Sequence, residues 1–192
     1  MNLREHDESS EMKVWLSAEE TDRYLAAAEN NEQQIAFGLG LRCGLRSKEW
    51  LDVTPRDVVD TDAGTMLRVW DGKGDKFRET PCPEVLATRI RIAGEDAPDD
   101  PVLSVSTTRT LRRWVGAAGE RLAEETGDAG WRELSTHDLR RTWATALADA
   151  EVDPLLALDW GGWEDLETFL QHYKGAYSPA AKRRAREKVN WL

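Results

Sequence analysis

Arg46, Lys73, His137, Arg140, Trp163 and Tyr173 lie far apart in the chain. Together they carry two guanidiniums, an ammonium, an imidazole, an indole N–H and a phenol. That set suits phosphoryl transfer. A phosphodiester carries one negative charge, and its transition state gathers more on the equatorial oxygens. Two arginines can clamp those oxygens with charge-assisted hydrogen bonds. A tyrosine oxygen can attack phosphorus and form a covalent link. The phenol's ordinary pKa is about 10, so a base or a positive site must lower the cost of deprotonation. A lysine on a short turn can protonate the departing sugar oxygen. The covalent link conserves the bond energy of the phosphodiester, so this chemistry calls for no nucleotide cofactor and no metal.

Singly, each residue has a plainer reading. Arg46 could pair on the surface with Glu49, its neighbour at i+3. Lys73, and Lys76 as its alternate, could be solvated hairpin charges. His137 could bond backbone at a helix N-terminus. Trp163 could be core, and Tyr173, with Tyr177 as its alternate, a core-edge aromatic. His137 and Arg140 are more specific, because a spacing of three directs both toward one side of a helix.

The elements that must position these groups are legible in part. Ser17-Ala18-Glu19-Glu20 is a capping box that opens a helix. A second helix runs from about Glu32 to Leu41 or beyond, and Gly44 breaks it just before Arg46. Ser47–Leu51 reads as one or two helical turns, stopped at Thr54-Pro55. Residues 65–70 alternate with a strand period, 71–75 form a glycine-rich turn carrying Lys73, and 76–80 return as a second strand. A helix follows from Glu84 to about Ile92. Residues 108–125 are amphipathic, with Leu111, Trp114, Val115, Ala118 and Leu122 on one face and Gly127 as C-cap. Leu139, Trp143 and Leu147 fall at i, i+4, i+8 on a helix capped by Ser135 or Thr136. A short helix follows Asp153-Pro154, Gly161-Gly162 interrupts, Asp165 to about His172 reads as helix, and Pro179–Lys188 is a basic last helix. The expected fold class is mainly α with a small antiparallel β-sheet (α+β).

Taken in order, four motifs resemble the catalytic domain of the tyrosine recombinases, the phage-integrase family. They are Gly44-Leu45-Arg46-Ser47-Lys48-Glu49, Gly72-Lys73-Gly74-Asp75-Lys76-Phe77-Arg78, Ser135-Thr136-His137-Asp138-Leu139-Arg140-Arg141-Thr142-Trp143-Ala144-Thr145, and Gly162-Trp163 followed ten residues after the tryptophan by Tyr173. The resemblance runs from near Trp15 to the end of the chain. It implies the fold of the DNA breaking-rejoining catalytic domains and no cofactor. It implies that Arg46 and Arg140 hold the scissile phosphate and that Glu49 supports Arg46. Lys73 would protonate the 5′ oxygen, and His137 would give acid–base help. Trp163 would donate a hydrogen bond where most members have histidine. Tyr173 would form a 3′-phosphotyrosine bond, with Tyr177 as fallback. Tyr173 lies one residue further from Trp163 than is usual in the family, and one residue turns a helix by about 100°. The implied partner is double-stranded DNA, with self-association on it as in the family's tetramers.

Members carry a helical core-binding domain ahead of the catalytic one. The organisation expected here is an acidic flexible segment, 1–14, and a catalytic domain, 15–192, with no separate core-binding domain. Such a domain would hold DNA weakly, and would depend on self-association or on a partner protein that completes the clamp.

Bulk properties press the other way. The net charge is −10, with 36 acidic and 26 basic residues, whereas phosphate binding is driven by Lys and Arg releasing counterions. The charge is uneven: the cluster KRRAREK occupies 182–188. No apolar run is long enough for a membrane span, no signal peptide is legible, and Cys43 and Cys82 form no metal pattern. A cytoplasmic location is the default expectation. Two other readings stand beside the enzyme: a non-catalytic DNA-binding or regulatory protein that keeps the fold, and an interaction module unrelated to DNA. The second leaves the order of the motifs without a reason.

Seven lysines stand against nineteen arginines, and an acid-rich, lysine-poor surface suits a protein from a salt-loving source, where surface charges are screened. Far-UV circular dichroism should therefore report loss of helix as salt is removed. Full folding at very low salt would contradict this reading.

Overall fold

The computed structural model describes residues 2–6, 9–71, 76–164, 167, 169, 179–189 and 191. The chain is mainly helical, with a three-stranded antiparallel sheet and a separate two-stranded hairpin. The hairpin pairs β1 (Asn2–His6) with β2 (Ser9–Trp15), with Leu3 opposite Val14. Residues 2–6 and 9–15 are thus paired strands, where the sequence reading expected an acidic flexible segment over 1–14. The reason lies far down the chain. Val14, Trp15 and Leu16 are buried, and the end of β2 is tied to a distant helix by two backbone N–H groups described below.

Ser17 caps α1 (Ala18–Ala26) with Glu20, each accepting from the other's backbone N–H. Asn30 accepts from the Gln33 N–H at 2.9 Å and opens α2 (Asn31–Cys43). Residues 35–41 of α2 are all buried, because this helix is the centre of the molecule and meets neighbours on every side. It ends at Gly44, whose φ of +67° is the left-handed C-cap conformation. A Cβ here would also lie 2.2 Å from the Trp143 ring, so the position accepts only glycine.

Two 3-10 turns, Glu49–Asp52 and Pro55–Asp57, lead to the sheet. Its strands are β3 (Val58–Thr61), β4 (Gly64–Asp71) and β5 (Lys76–Pro81), in that spatial order. Register sets Trp70 opposite Phe77 and Asp71 opposite Lys76. Beyond the sheet come α3 (Glu84–Ala93) and α4 (Thr108–Thr126), the latter closed by Gly127 as expected and burying Leu111, Val115, Ala118 and Leu122. Among the described residues the remaining α-helices are α5 (Thr136–Asp149), α6 (Pro154–Gly161) and α7 (Pro179–Glu187); the helix expected from Asp165 to about His172 lies largely outside those residues. The main core joins β2, α1–α4, the sheet and Leu139. A smaller one gathers Trp143, Ala144, Ala148, Ala157, Trp163 and Phe169. Among the described residues, no helix is long and apolar enough to cross a membrane.

Asp138 holds the N-terminal hairpin to α5. Its Oδ2 accepts from the Ser135 N–H at 2.9 Å and from the Ser135 hydroxyl at 2.5 Å, which completes the helix cap. Its Oδ1 accepts from the Val14 N–H at 3.1 Å and from Arg141 at 2.5 Å. One turn on, Thr142 Oγ1 accepts from the Leu16 N–H at 3.1 Å. Asp138→Ala would orphan several buried donors at once, and should lower unfolding free energy by about 3 kcal/mol in a urea titration. A loss under about 1 kcal/mol would show that this carboxylate does not anchor the hairpin.

Candidate active site

Gly44 ends α2 and redirects the chain. Leu45 and Trp50 drop into the core and fix the next turn, with the Trp50 indole N–H donating to the Leu45 carbonyl at 3.0 Å. Between them stands Arg46, held by Glu49 on both ends. Its backbone N–H donates to Glu49 Oε2 at 2.6 Å and its Nη1 to Oε1 at 2.9 Å. The i, i+3 pairing read from the sequence is therefore present, and it belongs to a larger cluster.

That cluster forms at the C-terminal end of α6, where backbone carbonyls lack partners within the helix and carry the negative end of its dipole. Arg78 Nε donates to the Trp160 carbonyl at 3.1 Å. Arg140 Nη2 donates to the Gly161 carbonyl at 2.7 Å, and its Nη1 to the Gly44 carbonyl. Arg46 Nη2 donates to the Gly162 carbonyl at 2.8 Å. Three consecutive carbonyls thus receive three guanidiniums, from β5, from α5 and from the turn after α2. Gly162 makes this possible. Its φ is +64°, and a Cβ would stand 2.7 Å from Arg78 Cδ.

Trp163 supplies the floor. The Arg140 Cζ lies 4.1 Å from the centre of its ring, a cation–π contact. The same ring stacks on Trp143 with centroids 6.1 Å apart and meets Phe169 edge-on at 4.9 Å. The expectation from sequence was an indole donor; what the structure describes is the π face beneath a guanidinium.

Among the described residues, three guanidiniums gather beside the Glu49 carboxylate, which bonds two of them. Burial first, then the charge of Arg46, and further Arg78, lower the Arg140 pKa to about 9, with Glu49 opposing them. Arg140 remains charged at neutral pH. Burial alone would raise the Glu49 carboxyl. Hydrogen bonds and charge from Arg78, joined by the Arg46 N–H and the Arg46 charge, outweigh it and hold Glu49 below its ordinary value. Arg140 is only 7% exposed, whereas the Arg46 side chain is 42% exposed.

His137 lies one turn before Arg140 on α5 and is exposed. Crowding on one side of its ring and the charges of Arg141, Arg112 and Arg140 outweigh Asp138 and hold its pKa below the ordinary histidine value. The neutral imidazole has one donor and one acceptor nitrogen, which suits acid–base work. Lys73 lies between β4 and β5, outside the described residues, as do Tyr173, Tyr177 and His172; Lys76 begins β5. Tyr24, the remaining tyrosine, is no candidate. It is fully buried, donates to the Val115 carbonyl at 3.0 Å, and burial pushes its phenol pKa far up.

Arg78 is the residue that the sequence reading passes over. It stands in the Gly72–Arg78 motif without an assigned role, yet it makes two bonds to Glu49, at 2.9 Å to Oε1 and 2.7 Å to Oε2. The usable signal was strand alternation. Phe77 is exposed, while Arg78 and the fully buried Thr80 share the opposite face.

The fold and site define an α+β domain built around a preformed, positively charged cluster. The Phage integrase family model matches residues 14–178, so the chain belongs to that family. It is 29% identical over 146 residues to the tyrosine recombinase XerA of Thermococcus kodakarensis, covering 70% of this chain and 46% of that one. The chain thus spans about half the length of that relative. Among solved structures, a XerA recombinase superimposes with a TM-score of 0.73 at 21% identity, covering 91% of this chain and 64% of that one. The Tn1549 transposon integrase, solved in complex with transposon right end DNA, gives 0.71 at 16% identity, covering 96% and 68%. The fold is that of the tyrosine-recombinase catalytic domains.

The buried Glu49 pairing sets a pH dependence. A carboxyl with a lowered folded pKa stabilises fully above the ordinary carboxylate range, and that contribution is lost as pH falls through the lowered value. Glu49→Gln leaves Arg78 unpaired and should cost about 3 kcal/mol at pH 7, with the gap to wild type narrowing by about pH 3 in urea titrations. A gap that stays constant with pH would rule out this assignment.

Proposed function

We propose that this chain cleaves and rejoins strands of double-stranded DNA through a covalent 3′-phosphotyrosine intermediate. The observation that carries the reading is the meeting of Arg46 and Arg140 at the end of α6, above Trp163, with positive charge in excess of Glu49. A phosphodiester is the ligand whose charge and oxygens match that excess. Arg46 and Arg140 hold its non-bridging oxygens and stabilise the charge that builds there in the transition state. Trp163 fixes Arg140 from below, and Glu49 fixes Arg46.

Tyr173 attacks phosphorus, and Lys73 protonates the departing 5′ oxygen. His137, held neutral by its surroundings, accepts and returns a proton. A 5′-hydroxyl from a partner strand then attacks the phosphotyrosine, frees Tyr173 and exchanges the strands. Two facts support the nucleophile. The family places it after the tryptophan, and Tyr24 is locked in the core, leaving Tyr173 with Tyr177 as fallback. DNA as substrate is supported by family membership and by the DNA-bound Tn1549 relative. Strand exchange needs two duplexes, so self-association on DNA follows from the same reading. An acid-rich surface fits work at high salt, where the net charge of −10 is screened beyond a few ångströms.

Nicked suicide duplexes drawn from a randomised pool should trap a covalent protein–DNA adduct. That adduct should vanish in Tyr173→Phe and persist in Tyr177→Phe. Trapping that survives Tyr173→Phe but not Tyr177→Phe would move the nucleophile. No adduct at any salt concentration would make the chain a DNA-binding or regulatory protein.

A further inference from the structure

We infer that Arg78 is a positioning residue of the phosphate clamp: it occupies Glu49, and so keeps Arg46 available to an anion. The inference rests on the phosphate-clamp reading above and adds a residue that reading does not use.

The hydrogen bonds of Glu49 make the case. Its Oε1 accepts from Arg46 Nη1 and from Arg78 Nη1, both at 2.9 Å. Its Oε2 accepts from the Arg46 backbone N–H at 2.6 Å and from Arg78 Nη2 at 2.7 Å. A carboxylate has about four lone-pair sites, so Glu49 is saturated. Half of its capacity goes to Arg78 in the parallel, two-bond geometry that only arginine provides. The remainder reaches Arg46 through one side-chain bond and one backbone bond.

All three nitrogens of Arg78 are engaged, Nε with the Trp160 carbonyl and the two Nη with Glu49. Its side chain is only 9% exposed. Arg46 differs, since it is the exposed member of the cluster. Without Arg78, two lone-pair sites on Glu49 would open beside the Arg46 guanidinium. The carboxylate would then draw Arg46 into a closed ion pair and cancel the charge that an incoming phosphate needs. Arg78 therefore acts through Glu49, and also ties Glu49 to the end of α6 through the Trp160 carbonyl.

The charged groups facing Glu49 are Arg46 from its own turn, Arg78 from β5 and Arg140 from α5. With Arg78 removed, protonating Glu49 would release Arg46 again. That reversal separates a positioning role from a merely structural one.

The probe is inorganic sulfate, titrated against the whole chain while the arginine side-chain N–H resonances of Arg46 and Arg140 are followed by NMR. Arg78→Gln should weaken sulfate binding at pH 7 by about tenfold, the scale of one lost charge-assisted hydrogen bond. Binding should recover as pH falls through the ordinary glutamate range. The double variant Arg78→Gln with Glu49→Gln should bind sulfate more tightly than Arg78→Gln alone, because the competing carboxylate is gone, and more weakly than wild type, because Glu49 also holds Arg46 in place. Arg78→Lys keeps the charge but not the paired geometry, and decides the question if Arg78→Gln does not fold; it should show a smaller loss, also relieved by Glu49→Gln. Unchanged sulfate affinity in Arg78→Gln or Arg78→Lys overturns the inference. So does a loss that neither acid nor Glu49→Gln relieves, or a wild-type protein whose Arg46 and Arg140 signals ignore sulfate. None of these readings uses the tyrosine, so failure to trap a DNA adduct would sink the proposed reaction while leaving the sulfate result to judge Arg78.

Discussion

Three arginines from three separate elements end on three successive carbonyls, those of Trp160, Gly161 and Gly162. Bringing like charges together is unfavourable, and each guanidinium loses water as it is buried. The end of α6 offsets both costs. Its terminal carbonyls need donors, and its dipole presents negative potential to them. Glu49 is shared by two of the three guanidiniums, those of Arg46 and Arg78. On the surface of this protein, by contrast, Arg42 pairs with Asp22 and Arg91 with Asp60.

The rest of the fold holds that arrangement still. Gly44 lets α2 stop against the face of Trp143, and its carbonyl then meets Arg140. Trp143, Trp163 and Phe169 stack into a small apolar floor, so Arg140 is fixed by an aromatic face as well as by hydrogen bonds. Asp138 caps α5 and binds the N-terminal hairpin to it, which sets the helix that carries both His137 and Arg140. A shift in any of these would move a guanidinium relative to its carbonyl.

The overall charge of −10 and the local positive site are compatible because they act over different ranges. Screened charges on the surface influence little beyond about 8 Å at physiological ionic strength. Within the cluster, where Arg78 and Glu49 are about nine-tenths buried, opposite charges in contact are screened much less. Composition therefore described the surface, while the gathering of guanidiniums at the site was decided by a few groups in contact.

Much of this was legible in the residues. The capping box at Ser17 and Glu20, the glycine stops at Gly44 and Gly127, and the alternation of the hairpin strands are local rules, so they could be read without the fold. The motifs around Arg46, Arg140 and Trp163 identified the family for the same reason, since each is a short run. Other features came only from contacts between distant positions. The anchoring of the end of β2 comes from Asp138 and Thr142, more than a hundred positions away. Arg78 looked like one more charge on a strand until the fold set it against Glu49, 29 positions earlier, and Trp160, 82 positions later. The residue types determined which chemistry was available. Tertiary structure decided which groups would meet, because the terminal carbonyls of one helix and the depth of burial around them are properties of the packed chain.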